Sequence, residues 1–145
     1  MVRQNKILLV FFTFSIIGLI DSAYLFYERV TSGVLKCVIF EGCQTVANSS
    51  YSAILGVPLS LLGIIFYSVS VLLGVYFSKK NSSMSLLILQ IWSVIGFVDS
   101  MYFVVVQGVF IKAFCVYCLL SALSATIILC TAILLKKREI ELVIN

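Results

Sequence analysis

Four cysteines stand where their spacing could support thiol chemistry. Cys115 and Cys118 form a Cys-Val-Tyr-Cys motif that opens a long apolar run, and Cys37 and Cys43 lie with five residues between them in the longest polar stretch. A helix start leaves its first N–H groups without intrahelical partners, and the helix dipole favours negative charge there. A thiolate at that position is stabilised and becomes a usable nucleophile or leaving group. The bland reading is that Cys115 and Cys118 are two small packing residues, since free cysteine behaves as a small hydrophobe. Cys130 lies roughly 18 Å beyond Cys118 along a helix rising about 1.5 Å per residue, and is expected only to pack.

Residue types alone leave three arrangements open. In a relay, a mobile Cys37/Cys43 pair exchanges disulfides with an outside partner, Cys43 exchanges with Cys115, and Cys118 passes two electrons to an acceptor in the membrane. Exchange needs a thiolate attacking a disulfide sulfur, so a mobile pair meeting a fixed pair suits that chemistry. Four cysteines can also supply a tetrahedral zinc shell, although a five-residue spacer exceeds the usual two to four. A non-catalytic membrane protein with structural disulfides is the third arrangement. The relay needs an acceptor. The chain has no histidine to hold haem and no glycine-rich nucleotide loop, so a small apolar molecule dissolved in the bilayer remains, and a quinone is the two-electron candidate.

Composition sets these residues in a membrane. The 145-residue chain is 62% hydrophobic and 11% charged, against about 25% charged for globular proteins, and its mean hydropathy is +1.18. Spans are expected at about Ile7–Tyr27, Val57–Phe77, Met84–Val106 and Cys115–Leu135, each near the roughly 20 residues a bilayer requires. Arg3, Lys6, Lys79, Lys80, Lys136, Lys137 and Arg138 fall on one side of these spans, and Arg29, Lys36 and Lys112 on the other. The positive-inside rule then puts both termini in the cytoplasm and Cys37, Cys43, Cys115 and Cys118 at the extracytoplasmic face, where disulfides persist. The net charge of +4 reports this topology and not a nucleic-acid partner.

A repeat organises the chain. Gly18-Leu-Ile-Asp21-Ser-Ala-Tyr24 returns 78 residues later as Gly96-Phe-Val-Asp99-Ser-Met-Tyr102, and the same offset carries Cys37 to Cys115. The two halves would run in the same direction, as parallel repeats do. Asp21 and Asp99 sit within spans, where a carboxyl is costly. They are candidates for proton handling, or for hydrogen-bonded carboxyls that join spans one and three. After Cys43, the apolar residues Val46, Ala47, Tyr51, Ile54 and Leu55 approximate a helical stripe. A short amphipathic helix is expected there, ending at Gly56 and capping a cavity between the spans. The short segment Ser78–Ser83 makes spans two and three a tight antiparallel pair, and Gln107–Phe114 reads as a short outer loop.

The ensemble resembles the vitamin K epoxide reductase family in its short bacterial form. The resemblance rests on four spans, a paired-cysteine loop after the first, Cys43-x-x-Val46-x-x-Ser49-x-Tyr51, Gly56-Val57-Pro58-Leu59-Ser60-x-x-Gly63, and Cys115-x-x-Cys118 opening the fourth span. It covers almost the whole chain and implies one domain over residues 1–145. The implied fold is an all-α integral membrane four-helix bundle around a quinone (menaquinone or ubiquinone), capped by a half-helix, with no metal. Cys115 and Cys118 match the active-site pair, Cys118 being nearer the quinone, and Cys37 and Cys43 match the shuttle pair. Expected quinone contacts are Ser49, Tyr51, Leu59, Phe66 and Phe114. The implied activity is oxidation of an extracytoplasmic thioredoxin-fold (DsbA-like) dithiol protein with transfer of electrons to quinone. That partner is expected to be a separate chain, because this one ends at Asn145. Leu59 and Ala122 stand where relatives carry a polar Asn and a Tyr, which weakens the case for epoxide reduction. The DsbB-type quinone-coupled oxidases place their two cysteine pairs in the reverse order.

Overall fold

A computed structural model describes residues 2–31, 42–54, 56–80 and 82–144. Its elements are α1 (Val2–Thr31), a short α2 (Gly42–Asn48), an antiparallel hairpin of β1 (Ala53–Ile54) and β2 (Val57–Pro58), α3 (Leu59–Lys80), α4 (Ser83–Val106) and α5 (Val116–Ile144). Four stretches are long and apolar enough to cross a membrane: Gln4–Thr31, Leu59–Lys80, Ser83–Ile111 and Val116–Ile140. The chain is an all-helical, multi-pass membrane protein.

The four long helices close a ring. α1 packs against α3 and α5, and α4 packs against the same two. The repeat-bearing helices α1 and α4 therefore stand diagonally, with α3 and α5 wedged between them. α3 fills the wedge with two consecutive aromatic rings. Tyr67 lies against Gly18 of α1, and Phe66 lies against Gly96 of α4, so closely that a Cβ on either glycine would overlap the ring. Without a hydrophobic drive between helices in lipid, this close approach over small residues is what holds them. Buried serines such as Ser15 and Ser93 bond back to carbonyls four residues earlier.

One end of the bundle has a packed apolar core, with an open groove beside it lined by Leu86, Gln90 and Lys136, and the other end is hollow. Leu8, Phe11, Phe77, Leu86, Leu89, Ile128, Ala132 and Leu135 form a continuous buried cluster with Tyr67 at its edge. The cysteine motif and both cavities described below lie toward the opposite end.

Three of the boundaries that differ from the sequence expectation have a local reason. The helix after Cys43 stops at Asn48, eight residues short of Gly56. A 3-10 turn over Ser50–Ser52 follows, and Gly56, at φ +84°, turns the β1–β2 hairpin instead of capping a helix. Val57 and Pro58 belong to that hairpin, so the second span begins at Leu59. The third span does not end at Val106. It continues through a π-helical turn, Gln107–Ile111, which closes at Lys112 in the left-handed region.

The glycine contacts predict a specific pattern of stability. Gly18→Ala and Gly96→Ala each force an aromatic ring of α3 to move and should cost about 1–3 kcal/mol. Gly108→Ala meets only the far edge of Phe114, at 3.4 Å, and should be neutral. Thermal unfolding of the three variants in detergent checks the ranking.

Candidate active site

α5 begins at Val116, which makes Cys115 its cap: the Cys115 carbonyl accepts the Leu119 N–H at 3.0 Å. The Cys115 sulfur takes the position usually held by a serine or aspartate oxygen at a helix start, where the N–H groups two and three residues on need an acceptor. It accepts hydrogen bonds from the Cys118 thiol and from the backbone N–H groups of Cys118 and Tyr117. The Cys118 bond is the largest influence. Together these donors outweigh burial and bring the Cys115 thiol down from the usual 9.0 to about 7. Cys115 is almost wholly buried, and both it and Cys118 are free thiols.

The backbone N–H of Cys115 is met from α4. Gln107, 2% exposed, accepts it on Oε1 at 2.9 Å, and the same side chain lies within reach of the Cys118 sulfur. The π-helical turn supplies this geometry, because the Lys112 and Ala113 N–H groups fold back onto the Gln107 carbonyl and carry the chain directly to Cys115. The sequence reading placed Gln107 only in a loop. A lone amide at the end of an apolar run was the available signal.

Cys43 is brought to the same place. It is fully buried and disulfide-bonded. Cys37, its expected companion in the shuttle pair, lies outside the described residues. Gly42 lets α2 sit directly on the backbone before Cys115: a Cβ there would come within 2.6 Å of the Phe114 carbonyl oxygen. A cavity of about 60 Å³ is lined by Cys43, Cys115 and Cys118, with Arg29 and Ser60. Arg29 also donates to the Ser52 carbonyl at 3.2 Å, tying the capping loop to α1.

A larger cavity, about 320 Å³, opens on the other side of Cys118, within the range of about 300–1,000 Å³ typical of small-molecule sites. Phe66 and Trp92 stack along it, 5.7 Å apart and 19° from parallel. The Tyr67 hydroxyl, also on its wall, donates to the Ser121 carbonyl at 2.7 Å. Ser22 and Ser100, partners in the repeat, both line it. Leu59, Ser60, Leu25 and Cys118 border both cavities.

Other sequence candidates divide. Leu59, Phe66 and Asp99 line the larger cavity. Ser49, Tyr51 and Phe114 line neither. The Ser49 hydroxyl donates to the Val46 carbonyl at 2.7 Å, Tyr51 lies on the Phe110 ring at 5.8 Å, and Phe114 is exposed. Asp21 is buried and interacts electrostatically with both Cys115 and Cys118, whereas Asp99 is exposed along the larger cavity. The two carboxyls of the repeat are thus held in different surroundings. Cys130, expected only to pack, is free and exposed on α5. An apolar run has no polar face to mark which side turns inward, and this orientation was invisible in the sequence.

Fold and site together define a small multi-pass membrane protein built around thiols. The profile of the vitamin K epoxide reductase family matches residues 9–133, and the chain belongs to that family. Over 136 residues it is 29% identical to the thiol-disulfide oxidoreductase LTO1 of Arabidopsis thaliana, an alignment covering 88% of this chain and 36% of the relative. The chain therefore spans about a third of the length of the curated relative it matches.

The cap geometry sets the pH response of Cys115. Alkylation of reduced protein, resolved by residue, should rise for Cys115 with a midpoint near pH 7 and fall away as the thiolate is protonated below it. Cys118→Ala removes the largest stabilising bond and should move that midpoint upward, toward the ordinary thiol value. An unchanged midpoint in the variant would mean that the helix N–H groups suffice.

Proposed function

We propose that this protein is a membrane thiol-disulfide oxidoreductase that oxidises an extracytoplasmic thioredoxin-fold dithiol protein and passes the electrons to a membrane quinone. The observation that carries this reading is the position of Cys118, on the wall between a cavity shared with Cys43 and Cys115 and an aromatic-lined cavity large enough for a ring. Family membership and the likeness to a thiol-disulfide oxidoreductase support the thiol chemistry. The orientation proposed has both termini in the cytoplasm and the cysteines at the outer face of an inner membrane.

The residues of the larger cavity fit a quinone. Phe66 and Trp92 offer flat apolar faces. The Ser60 hydroxyl is shielded from solvent and has no hydrogen-bond partner among the described residues, so it is available to donate to a carbonyl oxygen. A bound quinone supplies an acceptor for the two electrons and two protons released when the Cys115 and Cys118 thiols join in one S–S bond. The chain's own groups do the rest. Cys43, once reduced by the partner, attacks the Cys115–Cys118 disulfide at Cys115, and Cys118 leaves as a thiolate. Cys37 then attacks Cys43, closes the shuttle disulfide and releases Cys115, whose stabilised thiolate is a good leaving group. Asp21, beside both sulfurs, takes up a thiol proton, and Asp99 exchanges protons at the larger cavity.

A Cys43 held in a disulfide is not a thiolate ligand, which supports the relay over the four-cysteine zinc arrangement. Quinone reduction by purified protein, with a reduced thioredoxin-fold protein as donor, tests the reading. Wild type should turn over and Cys118→Ala should not. Ser60→Ala should raise the quinone KM roughly fivefold while leaving kcat nearly intact, the loss of about one hydrogen bond. Absence of turnover in wild type with every quinone tried overturns the proposed acceptor.

A further inference from the structure

Gln107 is the most deeply buried side-chain amide near the cysteines, and the relay above does not use it. It sits on the first residue of the π-helical turn, a feature that is rare and concentrated at functional sites. Its two amide atoms face two different parts of one motif. Oε1 accepts the Cys115 N–H at 2.9 Å. A primary amide anchored by its oxygen has its nitrogen direction fixed, and the nitrogen is the donor left to meet the Cys118 sulfur.

We propose that Gln107 is a catalytic residue that holds Cys118 ready to leave and to attack as a thiolate: Nε2 donates to the Cys118 sulfur, while the bond from Cys115 N–H to Oε1 keeps the amide from rotating away. The proposal rests on the reading of Cys115 and Cys118 as the redox pair. It supplies what that reading lacks. Cys115 has helix N–H groups to bear its charge, but Cys118 lies in the same first turn, whose free N–H groups at Tyr117 and Cys118 are taken by the Cys115 sulfur. In the exchange step the Cys43–Cys115 bond forms, the Cys115–Cys118 bond breaks, and the electron pair of the broken bond stays on Cys118. The Gln107 N–H is the dipole aimed at that developing charge, fixed before it forms. A hydrogen bond to a charged sulfur is strengthened by the charge, whereas the same bond to a disulfide sulfur is weak.

The test reads the ionisation of Cys118 directly. Besides Gln107, the titratable or charged groups facing Cys118 are Cys115 on its own segment, Cys43 on α2, Asp21 and Arg29 on α1, Tyr67 on α3 and Asp99 on α4; of these only Cys115 is replaced, and identically in every protein compared. With Cys115→Ala as background, N-ethylmaleimide labelling of Cys118 is followed by mass spectrometry, with exposed Cys130 as an internal control. Gln107→Met and Gln107→Leu each remove both bonds with a side chain of similar size. Both variants should label Cys118 roughly tenfold more slowly than the Cys115→Ala protein at neutral pH, recover at alkaline pH, and label Cys130 at the background rate. Background-rate labelling of Cys118 in either folded variant overturns the donor role. It does so even if the other variant fails to fold. Slowed labelling in both variants, together with no quinone turnover in wild type, would retain the donor and reject the proposed acceptor.

Discussion

A helix that starts in a buried site has to find partners within the protein for the N–H groups at its first turn. The start of α5 answers this with sulfur and amide. Cys115 caps the turn with its thiol, and Gln107 meets the N–H of Cys115 itself. The break between α4 and α5 is tolerated only because these bonds are made. The same bonds leave negative charge on Cys115 favourable and direct Gln107 at Cys118. Backbone satisfaction and thiol activation are thus one arrangement, and removing either sulfur disturbs both.

The hollow end of the bundle follows from how α3 is wedged. Phe66 and Tyr67 are neighbours in sequence and lie against Gly96 and Gly18 of two different helices. With those rings seated, the helices are held apart above them, and the space that remains is bounded by Phe66, Trp92, Leu59 and Cys118. Tyr67 cannot swing into that space, because its hydroxyl is held by Ser121. The glycines of the repeat therefore shape the cavity indirectly. They let α3 approach, and α3 places the aromatic wall.

The parts of this architecture that were legible in the sequence are those written in composition and spacing. Four apolar runs and the cysteine pattern were enough for the bundle and the family. The parts that were not legible depend on backbone detail. Nothing in Val106-Gln107-Gly108 distinguishes a loop from one further turn of wider pitch, and the role of Gln107 follows from that turn. Gly56 is equally at home after a helix or in a hairpin, and tertiary pairing of Ala53 with Pro58 decided the matter. Ser49 and Tyr51 were assigned by their place in a motif. In the structure Ser49 closes the end of α2 and Tyr51 rests on Phe110.

The repeat gives the last step. The repeat has Gly, Asp and Ser at matching points of α1 and α4, and the serines of both copies line one cavity. The carboxyls have parted. Asp21 is enclosed beside the thiols, while Asp99 is open along the cavity on the far side of Cys118. Symmetry broke because the ring is completed by α3 and α5, which are not alike: α5 brings its capped cysteines against Asp21, and α3 brings Phe66 against the turn below Asp99. Thiol oxidation releases protons and quinone reduction consumes them, so a relay of the kind proposed needs a carboxyl in each place. A parallel repeat with unlike neighbours supplies that pair without a second evolutionary invention, and Cys118 lies on the wall between the two.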